Sequence, residues 1–161
     1  MNAMSASYVP ILLIFIEVGL SSELFINEFL ARNDLCCEDE NGVNEDFFEI
    51  YNNGDTEVNL SGYFVTDDLT DSAKYQLPNG TVIAAGRFLA IWCDSDSSGL
   101  HANFNLKGDG EEIGLFDTDT TMIDGFAYDA QCTDVSSVRF PDGSEIWNST
   151  LSPTPSEANE F

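Results

Sequence analysis

The sequence predicts an all-β chain closed as a sandwich or a barrel. Short apolar runs recur from residue 23 onward at the spacing of strands. Clusters of Gly, Asn, Asp, Pro and Ser separate them, the residues that turns demand. No stretch beyond residue 22 holds a helical period over about eleven residues.

The elements follow in order. ELFINEFL (23–30) alternates at its start and is mostly apolar, as a strand requires. FFEIY (47–51) is next, followed by the turn NNGD. Asn53-Gly54 between apolar runs predicts a hairpin, because both central residues of a type I′ turn need positive φ. Val58 and Leu60 then alternate with polar neighbours, and Ser61-Gly62 marks a bend. Tyr63, Phe64 and Val65 resume a strand, and TDDLTDS (66–72) is a polar loop. Tyr75 and Leu77 precede the Pro78-Asn79-Gly80 turn. TVI, RFLAIWC, EEIGLFD, TMIDGFAY, SVRF and EIWN complete the strands. The tail SPTPSEANEF is polar and reads as a domain end or linker.

Charge bounds the function. The 161 residues include 29 Asp and Glu against 5 Lys and Arg, a net of −24. Such a surface repels phosphate backbones and anionic lipid heads, which argues against nucleic acid and membrane partners. Hydrophobic residues at 43% and aromatics at 12% supply a core, so the acidity does not mean disorder.

Residues 8–20 (YVPILLIFIEVGL) form an apolar run broken by Glu17, too short to span a bilayer comfortably. Gly19, Ser21 and Ser22 resemble the small residues of a secretory cleavage site, although no Lys or Arg precedes Arg32. Residues 1–22 are therefore read as a signal-peptide-like or misassigned N-terminal segment outside the domain.

The pieces EDFFEIYNNGDTEVNLSGYFVTDD, YQLPNGTVIAAGRFLAIWCD, LHANFNLKGDGEEIGLFDTDTTMIDGFAY and TDVSSVRFPDG stand in the order of a known family. With FINEFLARN before them and SPTPSEAN after, the chain resembles the lamin tail domain of the bacterial, secreted kind, across residues 23–159. The resemblance implies an immunoglobulin-like β-sandwich. It implies that Phe48 and Ile50 face the core with Val58 and Leu60, while Glu49 and Tyr51 lie on the other face. Asn53, Gly54, Gly62 and Gly80 then serve as structural turns, and the acidic residues mostly as solvated strand faces and turn formers. Related bacterial domains are joined to enzymes or cell-surface proteins. The implied role is a non-catalytic, extracellular or cell-surface binding or accessory module, with an unidentified protein or glycan as partner.

The chemical readings are narrower. No GxSxG occurs, and His101 is the sole histidine, so a Ser-His-Asp hydrolase lacks its context. With so many acids, chance carboxylate pairs are expected and do not define a glycosidase. GDGEE places acids where a phosphate loop needs Lys-Ser or Lys-Thr. Cys36, Cys37, Cys93 and Cys132 lack paired ligand spacing and His101 is the only histidine, which argues against a zinc site. An even count behind a signal-like start suggests disulfides, and adjacent cysteines are poorly placed to bond each other. Cys93 and Cys132, both where strands run into loops, are the expected pair, with Cys36 and Cys37 left unassigned.

The competing reading is a calcium-stabilised adhesion or carbohydrate-binding domain. Hard cations want several oxygens, and TDDLTD (Asp67, Asp68, Asp71), DSDSSG (Asp94, Asp96) and CEDENG (Asp39, Glu40, Asn41) offer them. DSDSSG resembles the first half of an EF-hand loop, but Asn105 stands where that loop needs a bidentate Glu. Tyr51, Tyr63, Trp92 and Trp147 are the aromatics available for stacking a sugar. Asn59, Asn79 and Asn148 open N-x-S/T sequons.

Overall fold

A computed structural model describes residues 23–160, so the signal-like segment 1–22 lies outside the described residues. The described chain is all β. Its strands are β1 (Leu24–Leu30), β2 (Phe47–Asn52), β3 (Val58–Asn59), β4 (Phe64–Thr66), β5 (Tyr75–Gln76), β6 (Val82–Ile83), β7 (Phe88–Cys93), β8 (His101–Ala102), β9 (Gly110–Phe116), β10 (Met122–Asp129), β11 (Ser136–Arg139) and β12 (Trp147–Thr150). One sheet runs β12-β11-β1-β2-β7-β8, and a second runs β10-β9-β4-β5. A short ribbon pairs β3 with β6.

Alternation builds the core between the sheets. Ile26 and Phe29 of β1, Phe48 and Ile50 of β2, and Ile91 and Cys93 of β7 point inward. They meet Val65, Tyr75, Ile113 and Leu115 from the second sheet. Fully burying an aliphatic or aromatic side chain contributes about 1.5–3 kcal/mol, so this layer supplies most of the driving force. Leu60 is fully buried and Val58 packs against the same cluster, as the alternation predicts.

The outer face of the first sheet is not open to water. Leu30, Phe47, Ala90 and Trp92 point outward and are covered by Cys36 and Cys37 of the β1–β2 loop. Asn33 shapes that loop: its Oδ1 accepts the amides of Cys36 and Cys37, and its Nδ2 donates to the Cys37 and Glu45 carbonyls. The two neighbouring cysteines form a disulfide, contrary to the sequence expectation. The expected Cys93–Cys132 bridge does not form. Cys93 points from β7 into the core, where burial pushes its thiol well up, whereas Cys132 is exposed on the turn before β11.

Two turn expectations hold and one fails. Gly62 (φ +81°) and Gly80 (φ +88°) are left-handed, closing the Leu60–Tyr63 and Pro78–Thr81 turns. A side chain there meets backbone strain even though neither position is sterically crowded. Gly62→Ala and Gly80→Ala are each expected to lower stability by about 1–2 kcal/mol in urea unfolding. Midpoints equal to wild type would remove the conformational requirement. Asn53-Gly54, by contrast, makes no type I′ hairpin, since neither residue has positive φ. β2 pairs with β1 and β7, while β3 pairs with β6, so the chain leaves the first sheet here. Asn52 Oδ1 accepts the Gly54 amide, and Asn52 Nδ2 donates to the Thr56 and Ile83 carbonyls. A Cβ added at Gly54 would meet the carboxylate end of the exposed Glu23 side chain, which can swing aside, and Asn52 Oδ1 at 3.1 Å.

The polar tail is not a linker. Residues 153–159 lie along β1 and β2 and close over two buried glutamates. A bulge at Asn27 shifts the register so that Glu28 stands directly opposite Glu49. Both are fully buried, exceptions to the expectation that the acids are mostly solvated. The Thr154 amide and hydroxyl donate to Glu28, the hydroxyl at 2.9 Å, and the Ser156 amide donates to Glu49 at 2.6 Å. Asn159 Nδ2 donates to the Asn27 and Arg139 carbonyls, fixing the end of the strap.

Candidate functional site

Two of the three acidic loops converge on His101. The chain leaves β7, turns through 94–100 and returns as β8 parallel to β7, with His101 beside Trp92. So short a reversal needs unusual backbone, and Ser95, Ser97 and Gly99 all have positive φ. His101 is thereby placed inside, 4% exposed. Its Nδ1 lies 2.5 Å from Asp94 Oδ2, and its Nε2 lies 2.9 Å from Glu40 Oε1. Asp39 completes the group: a carboxylate oxygen of Asp39, one of Asp94 and a His101 ring nitrogen all lie within 4.8 Å of one another. Asp39 is itself fixed, because its Oδ1 accepts the Asn41 and Val43 amides and its Oδ2 the Asn41 side chain.

The electrostatics follow from this crowding. Burial alone lowers the imidazole, but the hydrogen bonds to Asp94 and Glu40 outweigh it, so His101 titrates above the usual range. The hydrogen bond to His101 holds Glu40 low. The Val43 amide leads in holding Asp39 low. Glu45 goes the other way, raised by burial and then by Asp94 and Asp39.

The remaining predicted calcium ligands do not assemble. Asp67 pairs with Lys74. Asp68 accepts the Thr70 amide and hydroxyl, an Asx turn that holds its carboxyl low. Asp71 is exposed. Asp96 is exposed and accepts from Ser98. Among the described residues, the Asp39, Asp94 and His101 set is the one group of three donors that could hold an ion. The sequence pointed to Asp94 and to the CEDENG loop. It missed His101, whose signal was position: a histidine seven residues after an Asp at the end of an apolar run.

A second feature lies at the open edge of the sandwich. A cleft of about 290 Å³ is lined by Phe29, Phe126, Tyr128, Gln131, Ser137 and Trp147. Phe29 is the buried floor, and its ring centroid lies 4.7 Å from Tyr128 and 5.6 Å from Phe126 and Trp147. The cleft opens where β10 and β12 are the last strands of their sheets. The other aromatics expected as a platform are used elsewhere. Tyr51 stacks on Phe88, Trp92 packs on Phe47, and Tyr63 packs against the core.

Two packed sheets, antiparallel except for the β7–β8 pair, with the core between them define an immunoglobulin-like β-sandwich. The chain belongs to the Lamin Tail Domain family, whose model matches residues 21–130. The match ends before β11, β12 and the strap, which nonetheless complete the sheet around β1. No curated protein and no solved structure matches the chain.

Proposed function

We propose that this chain is a non-catalytic binding module of an extracellular or cell-surface protein, and that the aromatic cleft is its contact face. The observation carrying the reading is the grouping of Phe126, Tyr128 and Trp147 over Phe29 at an open sheet edge. Half-buried aromatic walls stack on the CH face of a sugar ring, and a few polar groups fix its orientation. Gln131 and Ser137, bonded to each other at 2.8 Å, stand at the rim for that purpose. The charge of −24 selects against anionic glycans, so the ligand class is neutral.

The test is titration of the full chain with neutral oligosaccharides, followed by Trp fluorescence and by shifts of the Trp147 indole signal. Trp147→Phe keeps an aromatic wall and is expected to weaken binding several-fold. Gln131→Ala, on the rim, is expected to weaken binding without changing the thermal midpoint. No saturable response to any neutral oligosaccharide, with Trp147→Phe altering stability alone, would make the cluster part of the core and nothing more.

A further inference from the structure

We propose that Asp39, Asp94 and His101 form a binding site for a single zinc-type divalent cation, with Glu40 orienting the histidine. The donor set matches such an ion in size. At metal–ligand distances of about 2.0–2.2 Å, neighbouring ligand atoms lie roughly 3.0–3.5 Å apart, and the three donors already fall within 4.8 Å. His101 Nδ1 and Asp94 Oδ2, now 2.5 Å apart, need open by less than an ångström to admit the ion between them.

The histidine is arranged as a ligand rather than as a surface residue. Metal-binding imidazoles donate their second ring N–H to a carboxylate, which fixes the tautomer and aims the free nitrogen. Glu40 on Nε2 occupies that place, leaving Nδ1 facing Asp94, with an Asp39 carboxylate oxygen within 4.8 Å of the pair. His101 is buried on β8, and the Asp94 side chain that it faces is 12% exposed. Four carboxylates, those of Asp39, Glu40, Glu45 and Asp94, surround one imidazole, and a divalent cation offsets the excess. An imidazole nitrogen with two carboxylates suits zinc, whereas calcium takes oxygen donors, so the sequence expectation of calcium shifts to a borderline metal. Bound, the ion would tie the β1–β2 loop to the β7–β8 loop.

The site is tested on the full chain carrying Cys132→Ser, which removes the exposed thiol, stripped with EDTA and held at physiological ionic strength to screen diffuse charge. Calorimetric titration with zinc chloride is expected to show one site per chain and a thermal midpoint that rises with zinc. Glu40→Gln, at an exposed position, is expected to weaken zinc by about 10–100-fold. His101→Gln and Asp94→Asn are expected to abolish the site, with circular dichroism reporting that the sandwich persists. Cobalt is expected to give visible absorption bands that zinc displaces. Absence of stoichiometric zinc uptake would overturn the proposal. So would unchanged affinity in Glu40→Gln and His101→Gln, or equal binding of calcium. Failure here leaves the aromatic cleft untouched, since the two sites share no residue.

Discussion

Arg139→Met is expected to lower stability by about 3–5 kcal/mol in urea unfolding, the usual cost of leaving a buried charge without its partner. Arg139 lies in β11 with a side chain that is 6% exposed. Its Nε donates to the Ile26 carbonyl and its Nη1 to the Ser144 carbonyl, while Nη2 lies 3.0 Å from Asp124 Oδ2. Asp124, from β10 in the opposite sheet, also accepts the Ile26 amide at 2.8 Å. The pair therefore pins the two sheets together beside the β1 bulge. Removing the guanidinium strands the Asp124 carboxylate and two carbonyls. It also removes the cation over the Trp147 ring, 4.7 Å away, so Trp fluorescence reports the same change. Arg139→Met with Asp124→Leu is expected to recover part of the loss, because an apolar pair of similar volume carries no desolvation penalty. Arg139→Lys keeps the charge but not the planar fork, and is expected to lie between. A loss below about 1 kcal/mol in Arg139→Met would mean that the pair contributes no more than an exposed ion pair.

Alternation and turn chemistry made most of the fold legible. Phe48 and Ile50 of FFEIY and Ile91 of RFLAIWC mark the core face by alternation, and Gly62 and Gly80 mark turns that need positive φ. Illegible were the features that depend on a second layer. In sequence, Glu28 and Glu49 resemble any solvent-facing acids on alternating strands. Only the strap, distant in the chain, makes them buried. Asn53-Gly54 carries a hairpin signal, but Asn52 binds the Gly54 amide and the Thr56 and Ile83 carbonyls, and the chain passes to another sheet instead. The disulfide followed the same rule. Pairing by sequence position favoured Cys93, yet inward alternation along β7 puts that thiol in the core. Asp94 stood out in the sequence through its acidic loop. His101 and Asp39 became its companions only through the parallel β7–β8 pairing and the β1–β2 loop. In a chain with so few cations, an Arg inside SVRF and an Asp inside TMIDGFAY were themselves a signal of pairing.

The strap makes stability fall as pH rises. Burial first, and then the facing Glu28, push the Glu49 carboxyl up to about 9 from 4.5. Burial raises Glu28 as well. Two carboxylates directly opposite in a closed layer cannot both carry charge cheaply, so the folded chain keeps a proton there. The unfolded chain releases that proton near pH 4.5. Above that value the folded state binds more protons than the unfolded one, and each pH unit favours unfolding. The contribution is complete below pH 4.5 and is lost progressively up to about pH 9. Between pH 4.5 and 7 the loss is roughly 3 kcal/mol for one group. General repulsion among the acidic residues acts in the same direction, so the comparison is made in about 0.5 M salt, which screens exposed charges and leaves the buried pair. Glu49→Gln, which cannot ionise, is expected to flatten the slope of unfolding free energy against pH by up to one proton. It is expected to be more stable than wild type at pH 8. At pH 5 it is expected to be less stable by about 1 kcal/mol, because its amide cannot accept from both Asn27 and Ser156. Truncation after Ser152 removes the Thr154 and Ser156 donors and admits water to both glutamates. That variant is expected to be several kcal/mol less stable at pH 5 and to show the same flattened slope. An unchanged slope in both variants at high salt would place the pH dependence in surface repulsion and leave the strap a purely mechanical cover.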